Sequence, residues 1–303
     1  MNKDNPMFQT YRIADFLYGN DEATVKGEHF HINRLEEMPP LPAHILTPHK
    51  HWFYELFLVE SGESLHMVDY HEYRLTADTF FFIAQGQMHF WAKTNRENIR
   101  GYRLMFTEDF FQMNQMNNQF LFELIHLDNI YQNPFIALSS DHNKFIYTYF
   151  DLLFQEYNRP NGYEKALQSL LFLLLAEIHR LYESPSPTDT SKHQATIFKQ
   201  FIMRLETHFS EKWSARDYAQ ALHISPRHLN RIVQNMTNQS LTQVIQNRIV
   251  LEAKRLLTFT NLTVHQISDS LSFEDSAYFA RYFRKATGLA PTDFKNNMSE
   301  KYR

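Results

Sequence analysis

The chain has 303 residues, 43% hydrophobic and 21% charged, the balance of a soluble globular protein with room for two or three cores. Its formal net charge of -4 hides an asymmetry: residues 192–303 carry 16 Lys and Arg against 9 Asp and Glu, a balance of +7, and residues 1–191 a balance of -11. With no cysteine, disulfides and thiol chemistry are excluded, and the longest apolar run, Leu170–Ala176, is far below the roughly 18–20 residues of a membrane helix.

The opening MNKDNPMFQT has no apolar stretch or small-residue cleavage site, so a cytoplasmic protein without a membrane partner is expected. From Phe30 to Phe106 come short, aromatic-rich runs of β type: FHINRL, WFYELFLV, SLHMV, TFFFIA and GYRLMF. Turn-like stretches at Glu60–Glu63 and Asp69–Glu72 separate them, which predicts an antiparallel sandwich or barrel over about 27–108. A helical pattern follows over 109–182, strongest in Lys144–Tyr157 and Glu164–Tyr182.

In the second of these helices Leu167, Leu171, Leu174, Ile178 and Leu181 recur at steps of four and three, the stripe of a helix–helix seam. It suits a homodimer interface and a helix buried within its own domain equally. Glu183–His193, with two prolines and no apolar anchor, reads as a linker, so residues 1–183 form one domain, 184–195 a connection and 196–303 a second domain.

The second domain contains a duplication. Ser214–Leu222 aligns with Thr263–Leu271 at an offset of 49, and Ser225–Ser240 with Asp275–Ala290 at an offset of 50. Each copy, about 214–237 and 263–287, reads as a short helix, a tight turn and a second helix. Ser214 with Asp217 completes a capping box, Ser225 precedes Pro226 at the first helical position, and Asp275 caps the equivalent helix. Asn238 and Gly288 then end these helices with residues that tolerate left-handed backbone.

The outer stripes are Arg227, Asn230, Arg231 and Gln234 in one copy, and Ser276, Ala277, Ala280, Arg281 and Arg284 in the other, with Lys285 beside them. Arg bonds guanine edges bidentately, Asn and Gln suit adenine, and a methyl group can meet that of thymine. Two such units joined by a helix over Leu241–Leu257 predict a module that enters successive major-groove segments of double-stranded DNA. Nothing in the chain resembles a phosphate loop, a dinucleotide fold or a Ser/His/Asp arrangement, so neither an enzyme nor a cofactor is expected.

Ser214–Lys295 resembles the DNA-binding domain of the AraC/XylS family of transcription regulators. The resemblance rests on Ala219, Ser225-Pro226-Arg227, Leu229, Arg231, Arg248, Ala253, Leu256-Leu257 and Ile267, and above all on Phe273, Tyr278-Phe279, Arg281, Phe283-Arg284-Lys285, Gly288 and Pro291. Ser268, Ser272 and Asn238 depart from it, standing where the family usually has Ala, Gly and Gly.

In the front half, His49, His51, Glu55 and Gly62, followed by Gly86 and His89, resemble the two motifs of the cupin barrel. On one strand 49, 51 and 55 share a face, and His89 could complete a three-His, one-carboxylate metal site. Ala84 and Ala77 stand where a metal-binding cupin has Pro and Gly, so a metal-free effector pocket is expected. It would be lined by some of His49, His51, Glu55, Phe57, His66, Phe82, His89 and Trp91, and its aromatics suit a sugar and an aromatic effector alike.

The resemblances imply an α+β protein: a cupin-like antiparallel β-barrel with a helical pair, then an all-α bipartite helix-turn-helix domain. They imply a one-component regulator with DNA, a small-molecule effector, a second copy of the chain and RNA polymerase as partners. A metal-dependent cupin enzyme with an appended DNA domain, and a regulator without effector, are the alternatives.

Overall fold

The computed structural model describes residues 10–16, 28–38, 46–91, 98–112, 135–138, 140–182 and 189–301. They divide into two compact units, the chain passing from one to the other after residue 186.

The N-terminal unit is built on two sheets. One has the order β10 (Phe135–Ala137), β7 (Thr79–Ile83), β4 (Tyr54–Ser61), β9 (Arg100–Phe106), β2 (Phe30–Arg34), each pair antiparallel. The other has the order β6 (His71–Thr76), β5 (Glu63–Val68), β8 (His89–Trp91). A short parallel pair, β1 (Thr10–Tyr11) with β3 (Lys50–His51), lies beside them, and a bridge from His49 to His89 ties the chain before β3 to β8.

Side-chain parity sorts the larger sheet into two faces. Phe57, Val59, Phe81, Ile83 and Met105 join Val68, Leu75 and Trp91 of the smaller sheet in an inner core. Leu56, Leu58, Phe80, Phe82, Leu104 and Phe106 point the other way, onto the helices. Burial on both faces explains why TFFFI reads as a continuous apolar run rather than an alternating one. Between β4 and β5, Gly62 has φ of 84°, and a Cβ there would lie 1.9 Å from the Asn98 carbonyl oxygen, so the turn requires glycine.

Helices α1 (Asp109–Gln112), α2 (Ser140–Asn158) and α3 (Glu164–Tyr182) belong to the helical part. One expectation is corrected here, and one open alternative is favoured over the other. The segment expected to be helical after Asp109 contains β10, which pairs with β7 at the sheet edge. The stripe Leu167, Leu171, Leu174 and Ile178, a candidate dimer seam, is buried inside this one chain, with Leu181 packed partly buried beside it. The stripe shares its core with Ile146, Phe150 and Leu153 of the neighbouring helix α2 as well as with the apolar sheet face, and each buried side chain contributes roughly 1.5–3 kcal/mol there. Gln168, buried in the same helix, donates from Nε2 to the Phe110 carbonyl at 2.6 Å.

The C-terminal unit is helical: α4 (Asp189–His208), α5 (Ala215–Ala221), α6 (Pro226–Thr237), α7 (Leu241–Phe259), α8 (Val264–Ser270), α9 (Ser276–Thr287) and α10 (Pro291–Lys301). Helix α4 begins inside the expected linker, at Asp189, and Ala195, Ile197, Phe198, Phe201, Ile202 and Leu205 give it a buried face. Residues 183–188 of the expected linker lie outside the described residues. Among the described residues, no helix is long and apolar enough to cross a membrane.

Candidate nucleic-acid interface and buried histidine cluster

The duplication is a structural repeat. Helices α5 and α8 are both 7 residues long, and α6 and α9 both 12. Ser214 Oγ accepts from the Asp217 amide, while Asp217 Oδ2 accepts from the Ser214 amide at 2.7 Å. Thr263 and Gln266 build the same box in the second copy, where the sequence pattern T-x-x-Q was legible but passed over. Ser225 and Asp275 cap α6 and α9 as expected.

His223 and Ser272 occupy the two turns, both with φ of 56°, and Asn238 ends α6 with φ of 56° where Gly288 ends α9 with 80°. Thus Ser272 and Asn238, two departures from the family pattern, adopt the left-handed conformation that glycine would provide.

Leu229, Ile232 and Val233 bury the inner face of α6, and Phe279 and Phe283 that of α9. The opposite faces hold the candidate readers. Arg227, Arg231 and Gln234 are exposed at successive turns of α6, and Ala277, Arg281 and Arg284 at the equivalent turns of α9, with Lys285 alongside. Three candidates are less available. Asn230 is half-buried and its Oδ1 accepts the Leu241 amide at 2.9 Å, which helps to start α7. Ser276 and Ala280 are half-buried, and Ser276 Oγ lies 3.1 Å from His265 Nδ1, an exposed partner that sequence reasoning did not single out.

Helix α7 separates the copies with 19 residues, about 28 Å of rise. It is pinned by Arg248, buried, whose Nε donates to Glu206 at 2.7 Å and whose Nη1 donates to Glu252 at 3.0 Å. The guanidinium also stacks 3.8 Å above the Phe209 ring. Arg248 therefore positions the spacer rather than facing outward.

In the N-terminal unit His49, His51, Glu55, Phe57, His66, His89 and Trp91 are all buried and come together. The chain bends at Trp52 and Phe53, yet His51 and Glu55 still converge, with His51 Nε2 3.4 Å from Glu55 Oε2. His89 Nδ1 lies 4.0 Å from the same oxygen and 3.0 Å from His66 Nε2. His51 stacks on Phe53 at 4.0 Å, and His66 meets Trp91 edge to face at 4.6 Å. Phe82 is the exception: it belongs to the helix-facing core, because 81 and 83, not 82, share the inward parity.

Arg103 completes the cluster, and sequence reasoning missed it. Its Nε donates to Glu55 Oε1. The available signal was an arginine in GYRLMF at the same parity as inward Met105. Burial alone would raise the Glu55 carboxyl, but the Arg103 cation and His51 outweigh it and hold the group at about 2. Burial pushes His49 down to about 4 and His66 to about 3, and His89 well below the ordinary range, so these rings are neutral. Donor atoms of His51, Glu55 and His89 lie within 4.8 Å of one another, a set that could hold a metal ion. Arg103 already supplies a positive charge to that carboxylate, the charge a metal would otherwise bring.

A family model described as an AraC-like ligand binding domain matches residues 34–175, and one described as a helix-turn-helix domain matches residues 218–297. The HTH-type transcriptional activator RhaR of Cronobacter sakazakii is 24% identical over 250 residues, 82% of this chain and 87% of that one. RhaR of Escherichia coli O139:H28 is 24% identical over 263 residues, 86% of this chain and 90% of that one. Among solved structures, ToxT of Vibrio cholerae aligns with 88% of this chain and 98% of its own, at 11% identity and a TM-score of 0.39. Two models in this order, one over each of the separately folded units, together with relatives matched over most of their length, place the chain in the AraC/XylS family as a DNA-binding transcription regulator with an N-terminal ligand-binding domain.

Proposed function

We propose that the protein is a one-component regulator, not an enzyme, that acts in the cytoplasm on double-stranded DNA. A small molecule bound in the N-terminal unit changes how the C-terminal unit is presented to its sites. The observation that carries this reading is the register between the two reading helices: positions 227, 231 and 234 correspond to 277, 281 and 284, and all six are exposed. Arg227, Arg231 and Gln234 read one groove segment, and Ala277 and Arg281 the next. Arg284 and Lys285, later in α9, serve mainly the phosphates.

A second copy of the chain and RNA polymerase are the protein partners in this reading, and activation, the role named for the relatives, is its expected output. Selection of bound sequences from random duplexes by the full chain tests it. A bipartite preference is expected, and equal affinity for all sequences at low salt would overturn it.

A further inference from the structure

Arg103 faces more than Glu55. A cavity of about 250 Å³ opens beside edge strand β2, walled by the 3-10 turn Ile13–Phe16, by β2 and by the last turns of α2. Arg103 lines it with a side chain only 4% exposed. Its Nε is spent on Glu55 and its guanidinium lies 4.6 Å from the Phe16 ring centre. Among the described residues, Nη1 and Nη2 have no acceptor. Both nitrogens keep some access to solvent, so a molecule entering the cavity that Arg103 lines can accept from them.

The neighbouring His31 ring keeps a proton to donate. His31 Nδ1 lies 2.8 Å from the Tyr157 hydroxyl, and both residues line the cavity. Burial, and then the Arg103 charge, lowers His31 to about 4, so the ring is neutral. A phenol is the better donor and a neutral imidazole nitrogen the better acceptor, which leaves the ring proton on Nε2. Phe16 and Phe154 supply apolar wall, and the one acidic lining residue, Glu37, is exposed at the mouth.

We propose that this cavity is the effector site and that its ligand is a small organic carboxylate with an apolar body, its two oxygens on the free Arg103 nitrogens. The planar fork of a guanidinium matches a carboxylate bidentately, and no second cation is needed. The volume lies just below the small end of ligand pockets, which suits a ligand on the order of ten non-hydrogen atoms. The assignment rests on the effector-responsive reading above, but places the ligand beside β2 and α2 rather than inside the histidine cluster.

The test is calorimetric titration of the full chain with monocarboxylates of this size, hexanoate and phenylpropanoate among them. Their primary amides and glucose serve as neutral controls, and target-DNA affinity is measured on the same samples. At least one carboxylate should bind, with its amide at least tenfold weaker. Asn158→Trp, an exposed substitution at the cavity lining, should weaken that binding at least tenfold, as should Arg103→Gln where it folds. No carboxylate binding at 10 mM, or binding undiminished in Asn158→Trp, would overturn the site while leaving the regulator reading intact. Loss of all DNA sequence preference in the unliganded protein would instead overturn that reading and not the site.

Discussion

Arg231 and Arg281 occupy the same turn of the same helix in two copies of one structural unit, and both are exposed. Each sits one and a half turns or less into a helix that is capped by a side chain and backed by buried apolar residues. Replacing either by Ala should cost about 1–3 kcal/mol of specific affinity and relax preference at a confined set of base pairs. Affinity measurements on duplexes varied one base pair at a time check this. A uniform loss across all duplexes would place the residue on phosphate instead.

Arg284 and Lys285 should behave in the opposite way. Arg284→Ala with Lys285→Ala should weaken all sequences alike and flatten the dependence of log affinity on log salt by about one to two ions released. Titrations at several salt concentrations decide it, and an unchanged slope would remove both from the phosphate contacts.

The leucine stripe of α3 gives a stability prediction. Leu171 and Leu174 are both fully buried in the core shared by α2, α3 and the sheet, so Leu171→Glu with Leu174→Glu should unfold the N-terminal unit rather than release a folded monomer. Loss of far-ultraviolet signal from that unit is expected. A folded double mutant that had merely changed its association state would restore the seam reading.

This stripe also shows where the sequence was ambiguous. Leucines at steps of four and three satisfy a partner helix and a sheet face equally, so periodicity could not name the neighbour. Phe57 and Phe82 pose a related problem, because a strand buried on both faces offers no polar residue to mark its parity. Strand β10 escaped because three residues carry no period. The capped helices of the C-terminal unit were legible because Ser214, Ser225, Asp275, Asn238 and Gly288 each act locally, through bonds to their own backbone neighbourhood.

Ser272, with φ of 56° in the turn of the second unit, should gain from glycine. Ser272→Gly removes left-handed strain but adds freedom to the unfolded chain, for a net stabilisation of a few tenths to about 1 kcal/mol. Chemical denaturation of the full chain, followed by signals from the C-terminal unit, checks it. A destabilised variant would show that the Ser272 side chain has a role of its own.

The buried histidines set an acid limit. His49 falls to about 4 and His66 to about 3 in the folded state, below the ordinary 6.5, so the unfolded chain binds protons that the folded chain does not. Their contribution is complete above pH 6.5 and is lost as pH falls through the folded values. Glu55, held at about 2, contributes above its ordinary 4.5 and loses that contribution as pH falls toward 2. All three groups act in one direction, so the melting temperature of the N-terminal unit should fall steadily from pH 6.5 to pH 4. A flat profile would contradict the neutral-cluster description.

The central claim is that two equivalent helices read two segments of one DNA site. Its most direct test is selection from a random duplex library by residues 187–303, the separately compact unit, alongside the same unit carrying Arg231→Ala or Arg281→Ala. The account predicts a site with two short conserved boxes about one helical turn apart, each substitution erasing preference in a different box. A single box, or the same box erased by both substitutions, would contradict it.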